Sequence, residues 1–322
     1  MDYLSSSKIA KIWDLSERTV RNYCAEGRVQ GAYIQGKTWM IPESAEKPGR
    51  KPRKRKVPNT LLDRLRFEKE NQIKGGIYHR LQIDFTYNSN HMEGSTLTHD
   101  QTRYIFETNT INTNGTEDTI NVDDIVESVN HFRCIDLVID FAKRDLSESF
   151  IKQLHYTLKS GTGDSRKPWF NVGGYKKLEN EVGGKEATEP KQVPKAMKEL
   201  LSSYKPKEPK TFEDLIEFHA AFERIHPFQD GNGRIGRLIL LKECLNWDIV
   251  PFIIDEQHRL YYYRGLNQWS SQRGYLIETC LSAQDFFKRT LDRFDIEYSG
   301  NKTEDCIERN SLDHSITTEI LG

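Results

Sequence analysis

Between His226 and Arg237 the chain reads His-Pro-Phe-Gln-Asp-Gly-Asn-Gly-Arg-Ile-Gly-Arg, twelve residues holding a titratable ring, a carboxylate, a glycine-framed turn and two guanidinium groups. A histidine at a helix end has an ordinary pKa of about 6.5, so near neutral pH it is largely the free imidazole that can accept a proton from a hydroxyl. Gly231-Asn232-Gly233 makes a turn whose backbone amides can face an anion, and its glycines let a phosphate approach the main chain. Arg234 and Arg237, three residues apart, share a helix face and can reach one polyphosphate. Asp230 would repel a phosphate unless a divalent cation lay between them. The cluster asks for a metal-bound nucleotide beside a base.

Two helices must hold this stretch. Upstream, Phe212, Leu215, Ile216, His219, Phe222 and Ile225 recur at three- and four-residue spacings, the stripe of a helix packed on one face. Pro227 ends that helix. Downstream, Ile235, Leu238, Ile239, Leu241 and Leu245 form a second apolar stripe, so the Gly231–Gly233 turn starts the next helix.

These residues match the H-P-F-x-[DE]-G-N-G-R-x-x-R signature, and the chain from about residue 60 to 295 resembles the Fic family, whose typical members transfer AMP from ATP to a protein hydroxyl. The resemblance implies that His226 deprotonates the target hydroxyl. It implies that Asp230 holds Mg²⁺ on the α- and β-phosphates, that Asn232 and the amides of Gly231 and Gly233 cradle phosphates, and that Arg234 and Arg237 take the β- and γ-phosphates. Ser89-x-x-x-Glu93-Gly94 fits the [ST]-x-x-x-E-[GN] pattern of the inhibitory helix of many Fic proteins, here near residues 80–94. A carboxylate there, paired bidentately with Arg237, would displace the γ-phosphate and leave ATP in an unproductive pose.

After Phe170 the helical period breaks, and Gly173-Gly174, Gly183-Gly184 and Pro190 suggest two short strands about a glycine turn. In Fic proteins such a hairpin, the flap, aligns the target as an added strand, and residues 175–189 would be that flap. Gln257 to Leu266 resembles the R-x-x-Y-Y-x-x-L stretch of the family, with Tyr262 and Tyr263 at the paired positions and one ring expected against adenine. Residues 97–160 offer no chemistry. Asp123 to Ala142 and Ser149 to Leu158 read as amphipathic core helices, with His131 and His155 structural.

The first 60 residues differ in kind, carrying 13 Lys/Arg against 6 Asp/Glu while the remainder carries 34 against 42. Ile9, Ile12 and Trp13 share one helical face. Ser16 caps a second helix, Glu17 to Ala25, which turns Val20 and Tyr23 inward and Arg18, Thr19, Arg21 and Asn22 outward, and Gly27 stops it. A hairpin turning at Gly36-Lys37 follows. The whole is similar to the winged helix-turn-helix of excisionase and MerR-type DNA readers, and a helical module that binds protein is the alternative. Seven Lys/Arg among the ten residues from Lys47 to Lys56 favour the DNA reading, since such a segment tracks phosphates.

With 322 residues, 36% hydrophobic and 30% charged, the chain has room for a large core and one accessory domain, and no apolar run of 18 residues exists to span a bilayer. Its five cysteines, Cys24, Cys134, Cys244, Cys280 and Cys306, are scattered and never in C-x-x-C spacing, which favours reduced thiols in a cytoplasm and argues against zinc.

The expected fold is mainly α: a winged helix-turn-helix DNA-binding domain (1–45), a basic linker (46–59), an all-helical Fic domain with a β-hairpin flap (60–298) and a polar tail (299–322). The expected activity is Mg²⁺- and ATP-dependent transfer of AMP to Ser, Thr or Tyr hydroxyls of a protein, itself among the candidate targets, restrained by Glu93. A homodimer is allowed and no membrane is expected. Two alternatives stand beside it: removal of AMP with Glu93 positioning water, and a DNA-binding regulator whose Fic pocket only senses nucleotide.

Overall fold

The computed structural model describes residues 2–49, 57–111, 119–204 and 209–298. The cationic segment 50–56 and the polar tail from 299, Cys306 included, lie outside the described residues. The chain divides into two compact units, 1–56 and 57–322.

In the first unit strand β1 (Tyr3–Ser5) leads directly into helix α1 (Ser6–Ile12), and α2 (Glu17–Ala25) begins at Ser16, whose hydroxyl accepts the Thr19 amide at 3.1 Å. The hairpin β2 (Tyr33–Gln35) and β3 (Thr38–Pro42) turns at Gly36-Lys37, as the sequence suggests. Sequence reading missed β1, which pairs with β3 in a three-stranded sheet of order β1-β3-β2. Ile9, Trp13, Val20, Cys24 and Ile41 form the small core. Ile12 does not join it. It is the last residue of α1, about two turns past the cap, and faces outward at 62% exposure.

The second unit is helical: α3 (Leu61–Glu70), α4 (Ile77–Met92), α5 (His99–Thr108), α6 (Val122–Phe141), α7 (Glu148–Lys159), α8 (Val193–Tyr204), α9 (Phe212–Ile225), α10 (Asn232–Asn246), α11 (Glu256–Asn267) and α12 (Arg273–Arg293). Between α7 and α8 stands a minimal antiparallel hairpin, β4 (Glu181–Val182) and β5 (Lys185–Glu186), turning on Gly183-Gly184 at positive φ. Helix α10 is the axis of the unit, because thirteen of its fifteen residues are buried. Leu238 and Ile239 join a core with Ile135 of α6, Leu154 of α7 and Phe222 of α9, while Leu240 and Cys244 face Tyr262 of α11 and Leu276 of α12. A helix buried on nearly every side, with Arg234, Arg237, Lys242 and Glu243 among its buried residues, can only sit inside other helices. The stretch that opens it is therefore fixed from every side. No helix among the described residues is long and apolar enough to cross a membrane.

Candidate active site

Helix α9 starts with a reciprocal capping box between Thr211 and Asp214 and ends at His226, whose left-handed backbone (φ 50°, ψ 62°) turns the chain into Pro227. A non-glycine residue in that region costs on the order of 1 kcal/mol or more, and the surroundings must hold it. They do so through Asn232. Its Oδ1 accepts the Phe228 amide and its Nδ2 donates to the Phe228 carbonyl, each at 2.8 Å, closing the loop on itself. Phe228 is fully buried, with the His155 ring stacked on it at 4.0 Å. The Lys176 amide donates to the Pro227 carbonyl at 2.9 Å and the Leu178 amide to Gln229 Oε1 at 3.1 Å, so the irregular segment leading to the β4–β5 hairpin runs beside the loop.

His226 Nδ1 lies 3.2 Å from the carbonyl oxygen of Glu223. A carbonyl can only accept, so Nδ1 carries the proton and Nε2 is left with its lone pair. Burial lowers the pKa of the ring, against the Glu223 carbonyl that raises it, and keeps it a free base at neutral pH. The ring borders a pocket of about 300 Å³ whose other walls include Glu93, Arg237, Gly183, Gly233 and Tyr263. Larger hollows of 430 and 520 Å³ lie away from His226.

At the other end of the loop Gly231, at φ 81°, precedes α10 with no side chain capping the helix, so the first amides are available to an anion. Arg234 and Arg237 project from this turn into two separate sets of partners. Arg234 is bonded to Glu127 of α6 and, at 3.2 Å, to Asp230 Oδ2. Lys159, the last residue of α7, reaches the same Asp230 oxygen at 2.6 Å and is also paired with Glu127. Burial alone would raise the Asp230 pKa, but Arg234 and Lys159 outweigh it and hold the carboxyl well below its usual range.

Arg237 donates from Nε to Ser89 Oγ at 3.0 Å, from Nη2 to the Ser89 carbonyl at 2.9 Å, and from Nη2 to Glu93 Oε1 at 2.6 Å. The expected pairing thus occurs with a different geometry. It is single-point on the carboxylate, because Ser89 takes Nε and the end of α4 supplies a carbonyl. Gly94, at φ 95°, turns the chain away after Glu93. Gly233 makes the approach possible, since a Cβ there would stand 2.3 Å from Glu93 Oε1.

The structure bears on three further expectations. Asn232 has both ends of its amide spent on Phe228 and shapes the loop, with the cradle left to the amides. Tyr262 is wholly buried with its hydroxyl 2.6 Å from His219 Nε2, and it borders the pocket from behind Tyr263, which is half-buried and donates to the Met92 carbonyl at 3.0 Å. Residues 97–160 do reach the loop: Glu127 and Lys159 pair with its charged groups, and His155 has the structural role expected of it, stacked on Phe228. Periodicity hides these three because each sits on an inward helix face like its apolar neighbours. Glu223 had a signal: one turn before His226 it shares the same helix face. It is buried, its pKa is pushed up to about 8 by that burial, and its Oε1, 4.0 Å from His219 Nε2, has no hydrogen-bond partner among the described residues.

On α2 of the first unit Arg18, Arg21 and Asn22 are exposed, while Thr19 is half-buried and bonded to Ser16 at 2.8 Å. Among the described residues no three His, Cys, Asp or Glu side chains converge on a point that could hold a metal. A divalent ion at Asp230 would therefore need ligands from phosphate and water, which suits an ion delivered with a nucleotide.

Residues 145–244, which contain the whole loop, match the model of the Fic/DOC family. A probable protein adenylyltransferase of Aquifex aeolicus is 30% identical over 129 residues, 36% of this chain and 37% of that protein, so the chain spans little more than a third of that relative. The fold is similar to a Fic domain containing signaling protein from Bacteroides thetaiotaomicron, at a TM-score of 0.55 and 25% identity over 73% of this chain and 93% of that one. It is also similar in fold to a Fic family protein from Desulfovibrio desulfuricans (TM-score 0.54, 23% identity, 70% and 69% covered) and to Fic-1 from C. elegans (0.51, 20%, 72% and 69%). Residues 145–244 thus carry the match to the Fic/DOC family, within a fold that is similar to Fic proteins over more of its length.

Proposed function

We propose that this protein transfers AMP from ATP to a hydroxyl of a protein, that Glu93 restrains the reaction, and that residues 1–45 bind DNA. The observation that carries the first claim is His226: its Nδ1 proton is spent on a carbonyl and its bare Nε2 stands at a pocket shared with Arg237 and the uncapped start of α10. Nε2 takes the proton of a Ser, Thr or Tyr hydroxyl, the oxygen bonds to the α-phosphorus, and the bond from that phosphorus to the bridging oxygen breaks, releasing pyrophosphate. Arg234, Arg237 and the α10 amides hold the phosphates in line. Asp230 is the residue to hold Mg²⁺, which when bound supplies charge neutralisation on the phosphate oxygens.

The DNA reading is supported by the exposed Arg18, Arg21 and Asn22 on α2 beside the β2–β3 hairpin, and by the Lys/Arg-rich sequence that follows. One observation favours a second reading, removal of AMP. Glu93 meets Arg237 through Oε1, and among the described residues Oε2 has no hydrogen bond, so it has room to orient a water. Incubation with ATP labelled on the α- or the γ-phosphate decides for transfer: label should appear on protein from the α position and not from the γ. No label on this protein or on a cell extract, for wild type and for Glu93→Gly alike, would sink it.

A further inference from the structure

The signature loop is not charge-balanced by its own residues. Asp230 Oδ2 receives Arg234 from within the loop and Lys159 from α7, and both cations also pair with Glu127 of α6. Two cations and two carboxylates thus form a quartet of formal charge zero. The neighbouring Asp164, 3.4 Å from Lys159, is itself held by Lys167 at 2.6 Å. The side chains of Lys159, Arg234 and Glu127 are 2%, 4% and 14% exposed, whereas Asp230 is 45% exposed. Asp230 is the member of the quartet that an incoming ligand meets. A lysine this deep is tolerated only with its partners in place, and here the partners are those of the candidate phosphate site.

We infer that Lys159 is a resident counter-cation for Asp230, a positioning residue that weakens the site's hold on a free divalent ion and lets it accept nucleotide phosphates before a divalent ion is present. This rests on the nucleotide reading above. An opposite charge at hydrogen-bond distance offsets much of the field that a carboxylate presents, so a cation at Asp230 competes with an ammonium already seated there. For a triphosphate the same ammonium works the other way, cancelling repulsion from Asp230. Glu127 sets the balance from behind: without it, Lys159 and Arg234 both bear more fully on Asp230.

Opposite charge changes at one place give effects of opposite sign, which damage to the fold cannot imitate. In the full-length protein, Mn²⁺ binding without nucleotide is measured by electron paramagnetic resonance, and ATP binding in EDTA by calorimetry. Lys159→Met should tighten Mn²⁺ and weaken metal-free ATP, each by about tenfold, and Glu127→Gln should do the reverse. The double variant Glu127→Gln with Lys159→Gln restores net zero and should return both affinities near wild type, and it carries the test if Lys159→Met alone unfolds. Both affinities moving together in every variant, or neither moving, would overturn the inference. The Mn²⁺ arm needs no nucleotide, so it still decides if wild type binds no ATP even with Mg²⁺, an outcome that would count against the nucleotide reading itself.

Discussion

Removing the Glu93 carboxylate should release the reaction, and the contacts of Arg237 set the size of the effect. Of the three hydrogen bonds it donates to Ser89 and Glu93, the two to Ser89 have neutral acceptors and survive the change, while the third, 2.6 Å to Glu93 Oε1, joins opposite charges with side chains 5% and 26% exposed. A charge-assisted bond in such a partly shielded place contributes about 1.5–3 kcal/mol, and the exposure of Glu93 argues for the middle of that range. At about 2 kcal/mol, with 1.4 kcal/mol per factor of ten, Glu93→Gly should raise AMP transfer by roughly 30-fold. Glu93→Gln keeps the length and loses the charge, so it should recover most of that gain without loosening the helix end beside Gly94. The assay is the rate of α-phosphate label appearing on protein. Adding Arg237→Ala to Glu93→Gly should abolish the gain, since the freed partner is then missing. Unchanged transfer in Glu93→Gly, together with lost release of AMP from a modified protein, would refute restraint and make Glu93 the catalytic residue of AMP removal.

His226→Ala should abolish transfer while calorimetry still detects ATP, and in wild type the acid limb of the rate should have its midpoint below 6.5, because burial lowers the pKa of the ring and the free base persists to lower pH. An undiminished rate in the alanine variant removes His226 from the chemistry. His155 and His219 are held neutral by burial, with pKa values lowered to about 3, so below pH 6.5 the unfolded chain binds protons that the folded one cannot. Stability should fall at about 1.4 kcal/mol per pH unit per ring down to about pH 3, and thermal melts between pH 7 and pH 5 test this. Gly265→Ala should lower the melting temperature, costing about 1–3 kcal/mol, because its Cβ would stand 2.7 Å from the Leu276 backbone where α11 crosses α12; an unshifted melt would show that the crossing yields. The full-length protein should bind duplex DNA with an affinity that drops steeply with salt and drops further in Arg18→Ala with Arg21→Ala, and filter binding that detects no complex at low salt would favour a protein partner.

Much of the site was legible in the residues themselves. The apolar stripe from Phe212 to Ile225, the proline after it and the glycines at 231 and 233 state a helix, a stop and a helix start, because each acts through local backbone sterics that need no distant partner. The Ser16 cap and the Gly36-Lys37 turn were readable for the same reason. What the sequence by itself could not determine is which inward-facing polar side chain meets which. Lys159 and Glu127 lie 71 and 107 residues from the loop groups they hold, and on their own helices they look like any other residue of an amphipathic face. Tyr262 and Tyr263 are neighbours in sequence, yet helical rotation buries the first against His219 and leaves the second half-buried, though both border the pocket. Asn232 reads as a ligand residue and is spent on Phe228. Arg237 could pair with Glu93 on charge alone, but the single-point contact follows from where Ser89 and the last carbonyls of α4 fall once that helix packs beside α10. Local sterics act within one turn of a residue, while charge balance in a buried site is settled between helices, and only the packed structure brings those together.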